Sequence, residues 1–137
     1  MSGTILAVDD NPVNLKLAAA VLRHEGHHVL CAGDAEEARR LLARLVPDLI
    51  LMDLAMPGMD GLALTRLLKA DPRLQHVPVI AVTAFSMKGD DDKAREAGCD
   101  GYITKPIDTR TLPGLIEQFL QLAASRIPGP AAGNPAN

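Results

Sequence analysis

The most informative stretch of the sequence for the fold is Leu49-Ile50-Leu51-Met52-Asp53, four apolar residues followed by an aspartate. A run that is apolar at every position, instead of alternating with polar residues, is typical of a β-strand covered on both faces. Four further short runs share this character: Ile5–Val8, Val29–Ala32, Val79–Val82 and Tyr102–Ile103. Strands of this kind belong to parallel sheets that have helices on both sides.

Segments with helical periodicity separate the five runs. Apolar residues recur at the i, i+3, i+4, i+7 spacing of a helix face in three segments: Leu15, Ala18, Ala19 and Leu22; Ala38, Leu41, Leu42 and Leu45; Leu112, Leu115, Ile116 and Phe119. Another helix is expected from near Gly61 to Ala70, with Leu64, Leu67 and Leu68 facing inward. This alternation predicts a single-domain α/β fold, a doubly wound sheet of five parallel strands with helices on both faces.

The helical segment from about Ser86 to Ala97 has a different composition. It is rich in Asp and Lys, and it offers little to bury beyond Met87, Ala94 and Ala97. Most of the stability of a protein helix comes from packing an apolar face. We therefore predict that this is the most loosely held helix.

Composition excludes several classes of function. The chain of 137 residues has a formal net charge of −3 and only 2% aromatic residues, so it lacks the basic surface and stacking rings of a nucleic-acid-binding protein. No apolar run approaches the length of a membrane span, and Met1–Thr4 does not resemble a secretory signal. We expect a cytoplasmic protein with no membrane or nucleic-acid partner.

Two smaller features concern the cysteines and the C-terminus. Cys31 and Cys99 match no metal-binding spacing and are expected to be buried free thiols. Residues 126–137 are rich in Pro, Gly and Ala, a composition typical of a disordered tail. The expected organisation is therefore one domain over residues 1–125 followed by this tail.

Polar residues follow four of the five predicted strands. Asp9 and Asp10 follow the first strand, Asp53 the third and Thr83 the fourth, and Lys105 follows the fifth. In open parallel sheets the carboxyl ends of the strands lie at one edge, where ligands bind. We expect these five side chains to meet there.

Together these residue types favour phosphoryl chemistry. Clustered carboxylates repel one another, and a hard divalent cation such as Mg²⁺, which prefers oxygen ligands, removes that repulsion. The Lys105 ammonium and the Thr83 hydroxyl can bind phosphate oxygens, and a carboxylate such as Asp53 is a known nucleophile for forming an aspartyl-phosphate.

Each of these residues also has a purely structural interpretation. Asp9-Asp10-Asn11-Pro12 could cap the first helix, with Pro12 in its first turn. Asp53 could be a turn residue, and Thr83 and Lys105 fit many strand ends. The functional interpretation depends on finding all of them at one edge of the sheet.

Four stretches resemble the receiver domains of response regulators: Val8-Asp9-Asp10-Asn11, Leu51-Met52-Asp53-Leu54-Ala55-Met56-Pro57-Gly58-Met59-Asp60-Gly61, Val82-Thr83-Ala84 and Thr104-Lys105-Pro106. The resemblance covers about residues 4–124, in order and in spacing. Within this family the chain most resembles the single-domain, DivK-like regulators, on the stretches Val82–Asp90 and Ala97-Gly98-Cys99. The resemblance implies a flavodoxin-like or CheY-like sheet with strand order 2-1-3-4-5.

The resemblance also implies roles for the site residues. Asp53 would accept a phosphoryl group from a phosphohistidine on a sensor histidine kinase or a histidine phosphotransfer protein. Asp10 would bind Mg²⁺ directly, with Asp9 helping directly or through water and Ala55 contributing its backbone carbonyl; Mn²⁺ would be accepted in place of Mg²⁺. The remaining contacts to the phosphoryl oxygens would come from Thr83 and Lys105.

The resemblance further implies a conformational switch. Thr83 would move toward the phosphoryl group, and Tyr102 would turn inward past the small Ala84. The face formed by the fourth helix, fifth strand and fifth helix would then bind a downstream protein. The resemblance also implies a cis bond before Pro106. We expect a monomer, with association through the same face as the alternative. The protein would act on its own phosphoryl group only and would not otherwise be an enzyme.

Other functions compete with this one. A phosphatase of the haloacid-dehalogenase type needs a general acid two residues after the nucleophile, where this chain has Ala55. A binding module that works without phosphorylation and a receiver cut from a hybrid kinase are further alternatives. The H-E-x-x-H match at His24–His28 is discounted as a zinc site because Gly26 is expected to end the first helix within it.

Overall fold

The computed structural model describes residues 3–54, 61–83, 90–105 and 107–126. Strands and helices alternate throughout, in the order β1 (Thr4–Val8), α1 (Pro12–His24), β2 (His28–Ala32), α2 (Ala35–Leu42), β3 (Leu49–Asp53), α3 (Gly61–Ala70), β4 (Val79–Thr83), α4 (Asp90–Ala97), β5 (Gly101–Thr104) and α5 (Leu112–Arg126).

The five strands form one parallel sheet with the order β2-β1-β3-β4-β5. The predicted sheet and its strand order are therefore confirmed. The register is close to flush, since Val8 lies beside Ala32 and Met52, and Asp53 lies beside Val82. As a result, the strands end at nearly the same level and the residues after them share one edge.

Helices cover both faces of the sheet, which explains why the central strands are apolar at every position. Alternate strand residues such as Ile5 and Ala7 pack against α1 and α5, and Leu6 and Val8 pack against α2, α3 and α4. Every residue of β3 and β4 is buried, including the two polar residues with which they end.

The predicted core is wrong in one part, on helix α3. Leu67 was expected to face inward, but it is 47% exposed, whereas Thr65 is fully buried between Leu64 and Leu68. The burial of Thr65 is tolerated because its hydroxyl donates a hydrogen bond of 2.7 Å to the Gly61 carbonyl. The prediction from hydrophobicity alone was therefore wrong about which of these two side chains is buried.

The turn between α1 and β2 breaks up the H-E-x-x-H match. Helix α1 ends at His24, Gly26 has a φ of 94°, and the His27 N–H returns to the Leu22 carbonyl at 3.1 Å. His28 is already part of β2. The two end histidines of the match therefore do not lie on one helix.

Other predicted boundaries changed slightly. Leu45 lies beyond the end of α2, and Arg126, assigned to the tail, is the last residue of α5. Helix α4 is described from Asp90; its expected start at Ser86 and the tail residues 127–137 lie outside the described residues. Both cysteines are free thiols, but only Cys99 is buried and Cys31 is half-buried. Within the described ranges no helix is long and apolar enough to cross a bilayer.

Candidate functional site

The carboxyl ends of the strands bring the predicted site residues to one edge of the sheet. Asp9 follows β1, and its N–H extends the ladder to the Ala32 carbonyl at 3.1 Å. Asp53 and Thr83 are the last residues of β3 and β4, and both are buried. Lys105 follows β5 and donates its backbone N–H to the Thr83 carbonyl at 2.6 Å.

Three carboxylates form the acidic part of the site. Oxygen atoms of Asp9, Asp10 and Asp53 all lie within 4.8 Å of one another. Asp9 and Asp53 are buried, at 7% and 2% exposure, and Asp10 is exposed. Charges brought this close repel one another, so the cluster favours a cation among its oxygens.

Lys105 supplies a positive charge next to two of the carboxylates. Its Nζ atom lies 3.2 Å from an Asp9 oxygen and 3.4 Å from an Asp53 oxygen. Burial on its own lowers the pKa of Lys105, but the charge of Asp53 and the hydrogen bond and charge of Asp9 outweigh it. The pKa of Lys105 therefore lies above the ordinary lysine value, and the side chain is a cation at neutral pH.

The start of α1 orients Asp9. Asn11, and neither aspartate, is the N-cap of this helix: its side-chain oxygen accepts hydrogen bonds from the Val13 and Asn14 N–H groups, and Pro12 is the first helical residue. The Asn11 N–H donates to one Asp9 oxygen at 2.9 Å, and Lys105 contacts the other oxygen. The capping interpretation is thus true of Asn11, while Asp9 points into the site.

This set of donors fits Mg²⁺. The ion prefers oxygen ligands and is commonly held by one or two carboxylates, together with water and phosphate oxygens. The cluster offers three carboxylates, of which Asp10 opens to solvent. No histidine or cysteine belongs to this cluster, so its chemistry is that of a hard cation.

Several predicted site residues are not described. Ala55, Ala84 and Pro106 lie in the ranges 55–60 and 84–89 and at position 106, outside the described residues. Tyr102 is half-buried and packs against the core on the α2–α4 side of the sheet. It lies beside Ala81, two residues before the end of β4.

One residue at this edge received no role from the sequence. Gly61, the first residue of α3, is buried, and its N–H donates to the Leu54 carbonyl at 3.3 Å. It therefore packs beside the residue that follows Asp53. The available signal was a glycine at the start of the predicted helix, eight residues after the candidate nucleophile Asp53.

Comparison with known proteins assigns the family. Residues 5–117 match the model of the response regulator receiver domain. The chain belongs to this family and is a receiver domain of a two-component response regulator.

Relatives of known type agree with this assignment. The polar-differentiation response regulator DivK of Brucella ovis is 41% identical over 120 residues, which cover 88% of this chain and 98% of that protein. Among solved structures, the receiver domain of a signal transduction histidine kinase from Syntrophus aciditrophicus is 33% identical, with a TM-score of 0.82 and coverage of 98% of this chain and 99% of that one.

A second solved relative bears on the metal. The receiver domain of the sensor histidine kinase PA1611 from Pseudomonas aeruginosa is 35% identical, with a TM-score of 0.80 and coverage of 88% of this chain and 99% of that one. That structure has a magnesium ion coordinated in its active-site cleft.

Proposed function

We propose that Asp53 accepts a phosphoryl group from a phosphohistidine donor in a Mg²⁺-dependent reaction. The observation that carries the proposal is a buried carboxylate in a cluster of three, with an ammonium group 3.4 Å away. A carboxylate with these neighbours is suited to bind a group that carries negative charge on several oxygens.

Asp53, Lys105 and Thr83 have different roles in the reaction. An Asp53 oxygen attacks phosphorus as the bond from phosphorus to the imidazole nitrogen of the donor breaks, and the donor leaves as a neutral histidine once it has gained a proton from water. The Lys105 ammonium, already within 3.4 Å of Asp53, neutralises charge on the phosphoryl oxygens. The Thr83 hydroxyl donates a hydrogen bond to one of them.

Mg²⁺ would be held by Asp10 and Asp53, with Asp9 in contact directly or through water and the Ala55 carbonyl as a further ligand. When bound, it neutralises the clustered carboxylates and orients the phosphoryl oxygens. Mn²⁺, which also prefers oxygen ligands, would replace it. The exposed position of Asp10 leaves a route for the ion to enter from solvent.

The proposed partners follow from this chemistry. The donor is a sensor histidine kinase or a histidine phosphotransfer protein, acting in the cytoplasm. With Ala55 in place of a general acid, the protein acts on its own phosphoryl group and does not hydrolyse other phosphate esters. No membrane or nucleic-acid partner is proposed.

Output would pass through the face formed by α4, β5 and α5 of a monomer. Thr83 would move toward the phosphoryl group, and Tyr102 would turn inward past Ala84. Helix α4 supports this because its described side chains bury only two alanines, Ala94 and Ala97, in the core. An element with so few apolar contacts changes position at low cost in free energy.

A second candidate is a receiver that works as part of a larger kinase. Two of the solved relatives are receiver domains of histidine kinases. The site chemistry is the same in both cases. We propose residues 1–126, which end with α5, as the receiver and residues 127–137, rich in Pro, Gly and Ala, as a disordered tail.

The proposal is tested by measuring intact mass after incubation with acetyl phosphate and Mg²⁺. The expected result is a gain of one phosphoryl group, absent with chelator and absent in Asp53→Asn. The matched control is Asp34→Asn, because Asp34 is an exposed N-cap of α2 and asparagine caps a helix equally well. No gain, from acetyl phosphate or from a phosphohistidine protein, would refute the proposal.

A further inference from the structure

Gly61 lies against the main chain of the proposed phosphoacceptor. A Cβ atom added at Gly61 would lie 2.9 Å from the Leu54 Cα and 3.0 Å from the Asp53 carbonyl carbon, and still closer to the Asp53 carbonyl oxygen. Cβ atoms in real proteins essentially never lie this close to another atom, because atoms in a packed interior stay at van der Waals contact distance. The space beside Asp53 therefore admits no side chain at this position.

The requirement for glycine here is one of space. The two described glycines with positive φ are Gly26 and Gly98, so Gly61 has a backbone conformation that other residues adopt freely. Of the glycines in the described ranges, Gly61 is the one whose added Cβ would meet main-chain atoms; the others would meet side chains or open space. A main-chain neighbour cannot move aside by changing rotamer.

The peptide after Asp53 is held on two sides. Toward β4, the Leu54 N–H donates to the Val82 carbonyl at 3.1 Å. Toward α3, Gly61 packs on the Asp53 carbonyl and donates its N–H to the Leu54 carbonyl at 3.3 Å. Since the sheet holds one side, a Cβ at Gly61 would either push α3 away or shift the Asp53–Leu54 peptide.

We propose that Gly61 is a positioning residue that fixes the Asp53 carboxylate against Asp9, Asp10 and Lys105 through its close approach to the Asp53 main chain. This inference rests on the proposed function of Asp53. The carboxylate contacts are short, with Lys105 at 3.4 Å and the acidic oxygens within 4.8 Å, so a shift of a fraction of an ångström changes all of them. In phosphoryl transfer, where catalysis is mostly positioning, misplacement by about 1 Å can cost about 100-fold in rate.

The test compares Gly61→Ala with Gly101→Ala. Gly101 is the matched control, because its added Cβ would also be too close to its neighbours, but these are the Phe119 and Ile80 side chains, and Gly101 opens β5 at the opposite end from the site. Three quantities are measured on the folded proteins: Mg²⁺ affinity by calorimetry, phosphorylation rate at saturating Mg²⁺, and the ¹³C chemical shift of the Asp53 carboxyl without metal.

In Gly61→Ala we expect at least about a tenfold loss in Mg²⁺ affinity and in phosphorylation rate, and a displaced Asp53 carboxyl signal. In Gly101→Ala we expect both constants within about twofold of wild type and an unchanged signal, whatever its loss of stability. A folded Gly61→Ala with wild-type values for all three quantities would overturn the inference, as would equal losses in Gly101→Ala.

Two further outcomes are distinguishable. If Gly61→Ala is unfolded, Gly114→Ala is added, because Gly114 is an exposed residue in α5 with open space around its Cβ position and alanine favours helix. A double variant that remains unfolded would assign Gly61 to folding and overturn the inference. If the wild-type protein takes up no phosphoryl group, the proposed function fails by itself, and the carboxyl signal still tests the position of Asp53.

Discussion

Replacing Asp10 by asparagine is predicted to stabilise the protein in the absence of metal. The Asp10 carboxylate lies within 4.8 Å of two others, those of Asp9 and Asp53. Because Asp10 is exposed, the dielectric of water applies, and each pair then repels by about 0.9 kcal/mol at this separation. Attraction to the Lys105 cation offsets part of the sum. We expect a gain of about 1 kcal/mol in the free energy of unfolding.

The same substitution removes a proposed metal ligand, so its effect reverses when Mg²⁺ is present. A ligand at ten times its dissociation constant stabilises the native state by about 1.4 kcal/mol. Wild type should gain this stability from Mg²⁺, and Asp10→Asn should gain little. The acidic cluster that is proposed to bind the metal would therefore lower the stability of the metal-free protein.

The assay is urea denaturation followed by far-ultraviolet circular dichroism, with chelator and with Mg²⁺. Asp34→Asn controls for the loss of one negative charge, since Asp34 caps α2 and asparagine preserves the cap. An Asp10→Asn protein that is less stable than wild type in chelator would refute the repulsion argument. Equal stabilisation of both proteins by Mg²⁺ would refute the metal site.

Three further predictions concern charge, packing and dynamics. The raised pKa of Lys105 means that its charged form stabilises the fold, and this contribution is lost as pH rises from about 10.4 through the higher folded-state pKa. From neutral pH upward, the stability difference between wild type and Lys105→Met should therefore shrink only in that alkaline range. Leu64→Ala should lower the free energy of unfolding by about 2–5 kcal/mol and Leu67→Ala by less than about 0.5 kcal/mol, because Leu64 is fully buried and Leu67 is 47% exposed. Similar losses in denaturant unfolding would contradict the assignment of the buried face of α3. Amide hydrogens of α4 should exchange faster than those of α1, and slower exchange in α4 would refute its loose packing.

The fold was predictable because its two main signals are local in sequence. Strands covered on both faces are apolar throughout, so β3 and β4 were each located to within one residue, the missing residue being polar Asp53 or Thr83. Helix faces were less certain, because periodicity allows either a leucine or a threonine at the margin of the buried arc. On α3 the buried residue is Thr65, whose hydroxyl donates a hydrogen bond to the Gly61 carbonyl.

The site was predictable as a set of residues, and its internal contacts were not. Flush parallel strands bring the residues after them to one edge, so the placement of Asp9, Asp53 and Lys105 could be expected from the order of elements alone. The pairing of Lys105 with both aspartates depends on side-chain distances that no pattern encodes. The role of Gly61 depends on a main-chain approach that is visible only in three dimensions.

Trapping the modified residue tests most directly whether Asp53 is the residue that takes the phosphoryl group. The protein is phosphorylated in Mg²⁺ and reduced with borohydride, which converts an aspartyl-phosphate to homoserine, and the peptides are then sequenced by mass spectrometry. We predict homoserine at position 53 and at no other aspartate, and none in chelator. Homoserine at Asp9 or Asp10, or phosphate retained on a residue other than an aspartate, would contradict it.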